Sequence, residues 1–344
     1  MNKSFRIAVC GCGNIANTWL SYAIKRKDVE IVALVDIIPE NSRIIATKYG
    51  LNCKTYESLS EAIKMSGANL VFDLTVPSAH KETVITALEL GCDVFGEKPM
   101  ANTLEEAKIM VSTALKCGRY YSVMQNYRFN KYIRALKDLL KTGTIGSPGF
   151  ICADYFYGDH FGGFRQVMDN PFILDICIHT FDQARFILDS DPVSVYCYEF
   201  NPLGSWYRGN AAVVCIFEFS NKEVFCLRGS RVAEGALTSW HSSWRIMGTK
   251  GTAIWDGKEA PYCEVVLPVR AEDKLVNDFR RIDAKLDWPG KEWHHGALDE
   301  MFSSLIEGKK SENDCTDNIK SVSMMVGAVR SALSSEKIFL KDLL

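Results

Sequence analysis

FRIAVCGCGNIA, residues 5–16, followed by EIVALVD, residues 30–36, decides the fold. Phe5 to Val9 is an apolar run of strand length, stopped by Gly11 and Gly13. Ile15, Trp19, Leu20 and Ala23 then recur at helical spacing, and Lys25, Arg26 and Lys27 form a basic end suited to a helix C-terminus. Residues 30–36 read as a second buried strand. In the turn between strand and helix, Gly11 permits a tight reversal and Gly13 lets the backbone approach a pyrophosphate. Ala16 allows close helix–strand packing. The N–H groups of Asn14 and Ile15, opening the helix, face phosphates. Alone, G-x-G-x-x-A is equally a plain glycine turn. Here Asp36 ends the second strand, where a carboxylate accepts hydrogen bonds from both ribose hydroxyls of an adenosine. Ile37 and Ile38 follow it in place of Arg or Lys. A 2′-phosphate would meet a carboxylate and no cation, so NAD is expected over NADP.

Outward from this turn, strand and helix continue to alternate. A helix from Pro39 to Tyr49 stops at Gly50. A strand follows at 70–76 (LVFDLTV), and a helix from His80 to Leu90 stops at Gly91. DVFGEKP is the next strand. Thr103 and Glu106 form a capping box for a helix closing at Gly118, and YYSVMQ is the last strand. This order predicts a parallel sheet with helices on both faces, over residues 1–125.

Beyond Asn130 the pattern changes. KYIRALKDLLKTG is one amphipathic helix ending at Gly143. Seven candidate strands come after it: FICADYFYG, VSVYCYEF, AAVVCIFEF, EVFCLRGS, SWRIMG, GTAIWD and CEVVLPV. Asn221-Lys222 and Thr249-Lys250-Gly251 mark two hairpins. The expectation is a mainly antiparallel sheet in a second domain, residues 126–344, for substrate binding and oligomerisation. A helix over 171–189 would cover one sheet face, and helices near 294–307 and 317–335 close the chain, free to pack back on the first domain.

Composition narrows the class. With 47% hydrophobic residues and a net charge of −2, nothing suggests disorder, nucleic-acid binding or an anionic membrane surface. The 12 cysteines are scattered through apolar runs without metal or disulfide spacing, so they read as reduced thiols in a cytoplasmic protein without a metal site. Neither a signal-peptide core nor an uncharged span of membrane length is expected.

GEKPMA places Lys98 at the carboxyl end of the fourth strand, where open α/β sheets bind ligands. Pro99 restricts how Lys98 leaves the strand. The plain alternative is a solvated Lys beside Glu97. GCGNIA, VPSAH at 76–80, EKP at 97–99 and DICIHTFD at 175–182, with GTIGS at 143–147 and GTKGTAIWDG at 248–257, resemble the glucose–fructose oxidoreductase/inositol dehydrogenase/MocA family over nearly the whole chain. The resemblance implies an N-terminal Rossmann domain and an α+β C-terminal domain with a large open, predominantly antiparallel sheet. It implies NAD(P)-dependent oxidation or reduction of CH–OH groups in sugars, polyols and glycosides. It makes Lys98, Asp175 and His179 the catalytic candidates. Around VPSAH and EKP it adds Thr75, Pro77, His80 and Glu97 to the cofactor candidates. Tyr127 and Arg128 match a family position lining the substrate cleft. Where many members carry Trp-Arg near the nicotinamide, this chain has Phe164-Arg165; Arg165 is kept as a cofactor candidate. A homodimer or homotetramer is implied, since the open sheet face commonly packs on a neighbouring subunit.

The residues themselves add to this. Asp175, His179 and Asp182 fall on one stripe of a helix, among Ile176, Ile178, Phe181, Ala184 and Phe186. The plain alternative is a helix-start acid and a satisfied core histidine. Tyr157, His160, Phe161, Arg165, Trp206, Tyr207, Arg208, Trp240, His241 and Trp244 offer aromatic faces and polar edges suited to a sugar ring, His160 among the substrate candidates. They suit packing as well. His294-His295 reads as a surface pair on a helix. Redox-neutral chemistry with tightly held NAD, or a nucleotide-sensing module without catalysis, would use the same fold.

Overall fold

The computed structural model describes residues 4–267 and 275–344. The chain divides into two compact units, Met1–Asn126 with Lys291–Val322 and Tyr127–Gly290 with Ser323–Leu344. Residues 291–322 thus join the first unit, although the sequence division at 125/126 counted them with the second.

Unit 1 is built on β1 (Phe5–Cys10), α1 (Asn14–Ala23), β2 (Val29–Val35), α2 (Pro39–Tyr49), β3 (Lys54–Tyr56), α3 (Leu59–Ser66), β4 (Leu70–Asp73), α4 (His80–Glu89), β5 (Asp93–Gly96), α5 (Leu104–Cys117) and β6 (Tyr121–Val123). Its six strands are parallel in the order β3-β2-β1-β4-β5-β6. The order reverses between β1 and β4, the crevice where such sheets bind ligands. Ile7, Val9, Leu34, Phe72 and Phe95 fill the core, and Trp19 of α1 packs edge-on against Phe72 at 4.9 Å. Gly118, in the left-handed region at φ 59°, ends α5, and Thr103 Oγ1 accepts the Glu106 N–H at 3.2 Å, as the capping pattern predicts.

Two local expectations in this unit are corrected, and two elements are added. The strand expected over 70–76 ends at Asp73, because Asp73 Oδ1 accepts both the N–H and the hydroxyl of Thr75 and turns the chain. The basic run 25–27 lies beyond the end of α1. β3 and α3 went unread: β3 has three largely exposed residues, although Ser58, which accepts from Glu61 N, and Gly67 bracket α3 with ordinary helix punctuation.

Unit 2 begins with α6 (Lys131–Lys141), capped by Asn130, and continues through β7 (Pro148–Phe156), α7 (Ile178–Leu188), β8 (Pro192–Phe200), β9 (Ala212–Phe219), β10 (Val224–Ser230), β11 (Ser243–Gly248), β12 (Gly251–Trp255), β13 (Tyr262–Val266) and β14 (Phe279–Asp283). The helices α8 (Trp293–Glu307) and α9 (Cys315–Ser334) and the short β15 (Ile338–Phe339) complete the chain. Among the described residues the sheet has nine strands in the order β14-β13-β12-β11-β7-β10-β9-β8-β15, antiparallel except for β7 with β10.

All seven expected strands are present; Pro268 and Val269 of CEVVLPV lie outside the described residues. The two strands not expected are the sheet's two edges. β14 is almost wholly exposed and has no apolar alternation, and β15 has two residues. One sheet face packs on α7, with Phe181 edge-on to Phe217 at 4.8 Å. The opposite face exposes Phe150, Tyr196, Tyr198, Val214 and Ile216. Trp244, grouped with loop aromatics above, is instead a core residue, 1% exposed and stacked on Phe225. The helix expected over 171–189 opens with a π-helical turn, Ile173–Cys177.

All 12 cysteines are free thiols, and the described residues contain no cluster of His, Cys, Asp and Glu suited to a metal. No helix among them is long and apolar enough to cross a membrane.

Candidate active site

At the switch point of unit 1 lies a cavity of about 630 Å³, lined by Gly11, Gly13, Asp36, Asn41, Thr75 and Thr83 among others. Gly11 sits at φ 93°, and a Cβ there would strike the Leu74 carbonyl oxygen at 2.5 Å, so the turn admits glycine alone. A Cβ on Gly13 would meet nothing within 4 Å, which leaves its backbone open to a close-approaching ligand. Asp36 is held by the chain itself: Oδ2 accepts the Cys12 N–H and Oδ1 accepts the Ile38 N–H, both at 2.8 Å. Oδ1 also accepts Asn41 Nδ2 at 3.3 Å, so Oδ2 is the oxygen that keeps a lone pair for a ribose hydroxyl. The charged lining residues are Asp36, Glu57 and Glu82, all acidic. Sequence reading had missed the last two. These residues fit NAD.

Of the cofactor candidates, Gly11, Gly13, Asp36 and Thr75 line the cavity, while Asn14 and Ile15 open α1 beside it. Pro77 is half-buried in the turn before α4. His80 is 1% exposed and off the cavity wall, its Nδ1 2.8 Å from Asp73 Oδ2. Burial disfavours its charge, but Asp73 more than offsets this and holds the imidazole above its usual value.

Glu97 is buried beneath Lys98. Its Oε1 accepts the Trp19 indole N–H at 2.7 Å and its Oε2 accepts the Lys98 backbone N–H at 3.2 Å. It is therefore a fixed partner rather than the solvated neighbour of the plain reading. Lys98 itself is half-buried. His294 is no surface residue: it is half-buried, its Nδ1 3.3 Å from Asn126 Nδ2. Burial lowers its pKa, with Lys98 and His295 adding to that and Glu97 opposing it. His295 turns to Ser21 at 3.2 Å.

Within unit 2, the π-helical turn carries Asp175 and α7 carries His179 and Asp182. Such turns occur often at functional sites. His179 is 5% exposed and lies flat on the ring of Tyr127, and His241 meets that Tyr127 ring edge-on at 4.9 Å. Burial pushes the Tyr127 phenol far up, so it stays protonated, and lowers His241 to about 4. Asp175 Oδ2 accepts Arg165 Nε at 2.8 Å and Arg231 Nη1 at 3.0 Å.

Arg165, a cofactor candidate above, thus has its Nε on Asp175, with its guanidinium over Phe161 and Phe164. Arg128, a substrate candidate, is 6% exposed and grips Asp182 with both Nε and Nη2, at 2.6 and 2.7 Å. That geometry suits a positioning role and not a substrate contact. His160 stacks on Trp206 and bonds Glu234 in an exposed loop. Arg231 and Asp159 went unread in the sequence, because a charged residue just past an apolar strand gives no sign that it is buried.

Residues 5–125 match the oxidoreductase family, NAD-binding Rossmann fold, and residues 133–254 match the GFO/IDH/MocA C-terminal domain. The uncharacterized protein y4oX of Sinorhizobium fredii is 23% identical over 99% of this chain and 97% of its own. The 1,5-anhydro-D-fructose reductase of Ensifer adhaerens is 31% identical over 54% of this chain, which spans 57% of that relative. In fold, the chain is similar to an oxidoreductase from Agrobacterium radiobacter solved with NAD+, L-tartaric acid and magnesium, with a TM-score of 0.86 over 99% of this chain and 100% of that one at 22% identity. With both domains matched, the chain belongs to the Gfo/Idh/MocA family of NAD(P)-dependent oxidoreductases.

Proposed function

We propose that this chain uses NAD to interconvert a secondary alcohol and ketone on a sugar, polyol or glycoside. The observation that carries the reading is the entry to α7, where a π-helical turn presents an ion-paired carboxylate and the first turn of α7 presents a buried, ring-stacked imidazole four residues on. Burying both groups costs free energy that apolar packing does not return, so a use for them is expected. Relatives named inositol 2-dehydrogenase, D-glucoside 3-dehydrogenase and D-apiose dehydrogenase support the substrate class.

In this reading Gly11, Gly13 and the start of α1 hold the pyrophosphate of NAD, and Asp36 holds the adenosine ribose. The chemistry that the nicotinamide supplies when bound is acceptance or return of a hydride at the carbinol carbon. His179 takes the hydroxyl proton at a ring nitrogen, an imidazole being suited to this near neutrality. The family resemblance gives Lys98 the part of a hydrogen-bond donor, through Nζ, that stabilises alkoxide character. Asp175 accepts from a neighbouring hydroxyl, its carboxylate fixed by Arg165 and Arg231.

The test is NADH formation by the full chain with myo-inositol, D-apiose and methyl D-glucosides, and NADH consumption with 1,5-anhydro-D-fructose. Continuous turnover on any of them supports the reading. A change that halts after one equivalent per chain, or none with any probe, contradicts net dehydrogenation.

A further inference from the structure

Arg231 follows β10 and is completely buried, an unusual place for a charge. Four of its five guanidinium N–H groups donate hydrogen bonds. Nε and Nη2 grip both oxygens of Asp159 at 2.7 and 2.8 Å. Nη1 donates to Asp175 Oδ2 and to the Pro171 carbonyl, both at 3.0 Å. Asp159 in turn gathers a second loop, since the Tyr207 hydroxyl bonds its carboxylate and the Trp206 indole N–H donates to its carbonyl at 2.8 Å. Trp206 carries His160 on its face at 4.0 Å. Burial works against the Arg231 charge, yet Asp159 and Asp175 hold its pKa above the ordinary value.

We infer that Arg231 is a positioning residue for catalysis: one guanidinium ties the π-helical turn that carries Asp175 to the two loops that carry His160 and Trp206. Arg165, the other partner of Asp175, is one-third exposed and able to exchange with solvent or ligand, whereas Arg231 is sealed in place. The fork of Arg serves two carboxylates and a carbonyl at once, and Lys cannot reproduce that geometry. This inference rests on the function proposed above, because it gives Asp175 a part in the reaction.

The experiment compares the full chain with Arg231→Met and Arg231→Lys by amide hydrogen exchange, NADH titration and steady-state kinetics. Segments 157–162, 171–177 and 204–209 are expected to lose protection by ~10-fold or more in Arg231→Met and by less in Arg231→Lys, with the rest of the sheet unchanged. NADH affinity should stay within about twofold of the parent. On whichever of the probes above the parent turns over, kcat should fall ~10²-fold in Arg231→Met, with partial recovery in Arg231→Lys. Protection lost evenly across the sheet shows a residue that only holds the fold, and overturns the inference; unchanged protection in the three segments overturns it as well. If Arg231→Met fails to fold, the Lys variant carries the same comparison. The reaction itself is judged apart, by His179→Ala: full activity there with loosened segments in Arg231→Met refutes the catalytic reading and leaves the structural tie standing.

Discussion

The ring of Tyr127 lies flat on that of His179, centroids 4.0 Å apart and planes 9° from parallel. This contact holds the plane of the imidazole through its ring face. Because burial keeps the Tyr127 phenol protonated, the tyrosine serves by its ring and not as a base. Tyr127→Phe should therefore keep kcat within a few-fold, while Tyr127→Leu should lower it by ~10-fold or more, as the imidazole loses its fixed plane. Equal kcat in the two variants, read from steady-state NADH formation, would set the stack aside.

The cofactor cavity predicts NAD over NADP. Its charged lining residues are all carboxylates, and Asp36 is held rigidly by two backbone N–H groups. NADH should bind at least ~10-fold more tightly than NADPH, about 1.4 kcal/mol. Asp36→Ala with Ile37→Arg should narrow or invert the ratio. Fluorescence titration of both nucleotides measures it, and equal affinities for the parent would sink the assignment.

Glu199 predicts a stability signature. Its Oε2 accepts from Asn170 at 2.6 Å, while Oε1 is buried without a hydrogen-bond partner. Burial raises its pKa from 4.5 to about 7, against the hydrogen bonds from Asn170 and Asn210. Between those values the folded chain holds the proton and the unfolded chain releases it. Stability from this group is therefore full below pH 4.5 and declines as pH rises to about 7. Urea unfolding of the parent and Glu199→Gln should show the variant gaining on the parent across that window and running parallel above it. A difference that is flat with pH would show that Glu199 does not titrate there.

The uncovered sheet face predicts assembly. Phe150 of β7, Tyr196 and Tyr198 of β8, and Val214 and Ile216 of β9 lie exposed on one face, with an Arg228–Asp154 ion pair joining β10 to β7 among them. A homodimer or homotetramer through this face would cover them. Light scattering should give a multiple of the chain mass, and Tyr198→Lys with Ile216→Lys should reduce it. A parent that stays monomeric on concentration refutes this.

The sequence was most legible where one local rule decided the outcome. G-x-G with Asp36 marked the cofactor turn, Gly50 and Gly118 marked helix ends, and the apolar run AAVVCIFEF marked β9. It was least legible where burial depends on partners distant in the chain. Nothing near Arg231 announces Asp159, 72 residues away, and nothing near Arg128 announces Asp182. The edge strands β14 and β15 were missed because an edge has little apolar surface to pattern. The π-helical turn was hidden too, since the spacing of Asp175 and His179 reads the same in an uninterrupted α-helix.

The central claim is that His179 moves the proton and that Lys98 stabilises alkoxide character. The most direct measurement is the pH profile of NADH formation by the parent, Lys98→Met and His179→Ala on one turned-over polyol. Lys98→Met should lose ~10²–10³ in kcat at every pH with NAD affinity retained. His179→Ala should lose ~10²–10⁴ near neutrality, with the deficit shrinking as pH rises and solvent takes over as base. Turnover by either variant close to that of the parent would contradict the account.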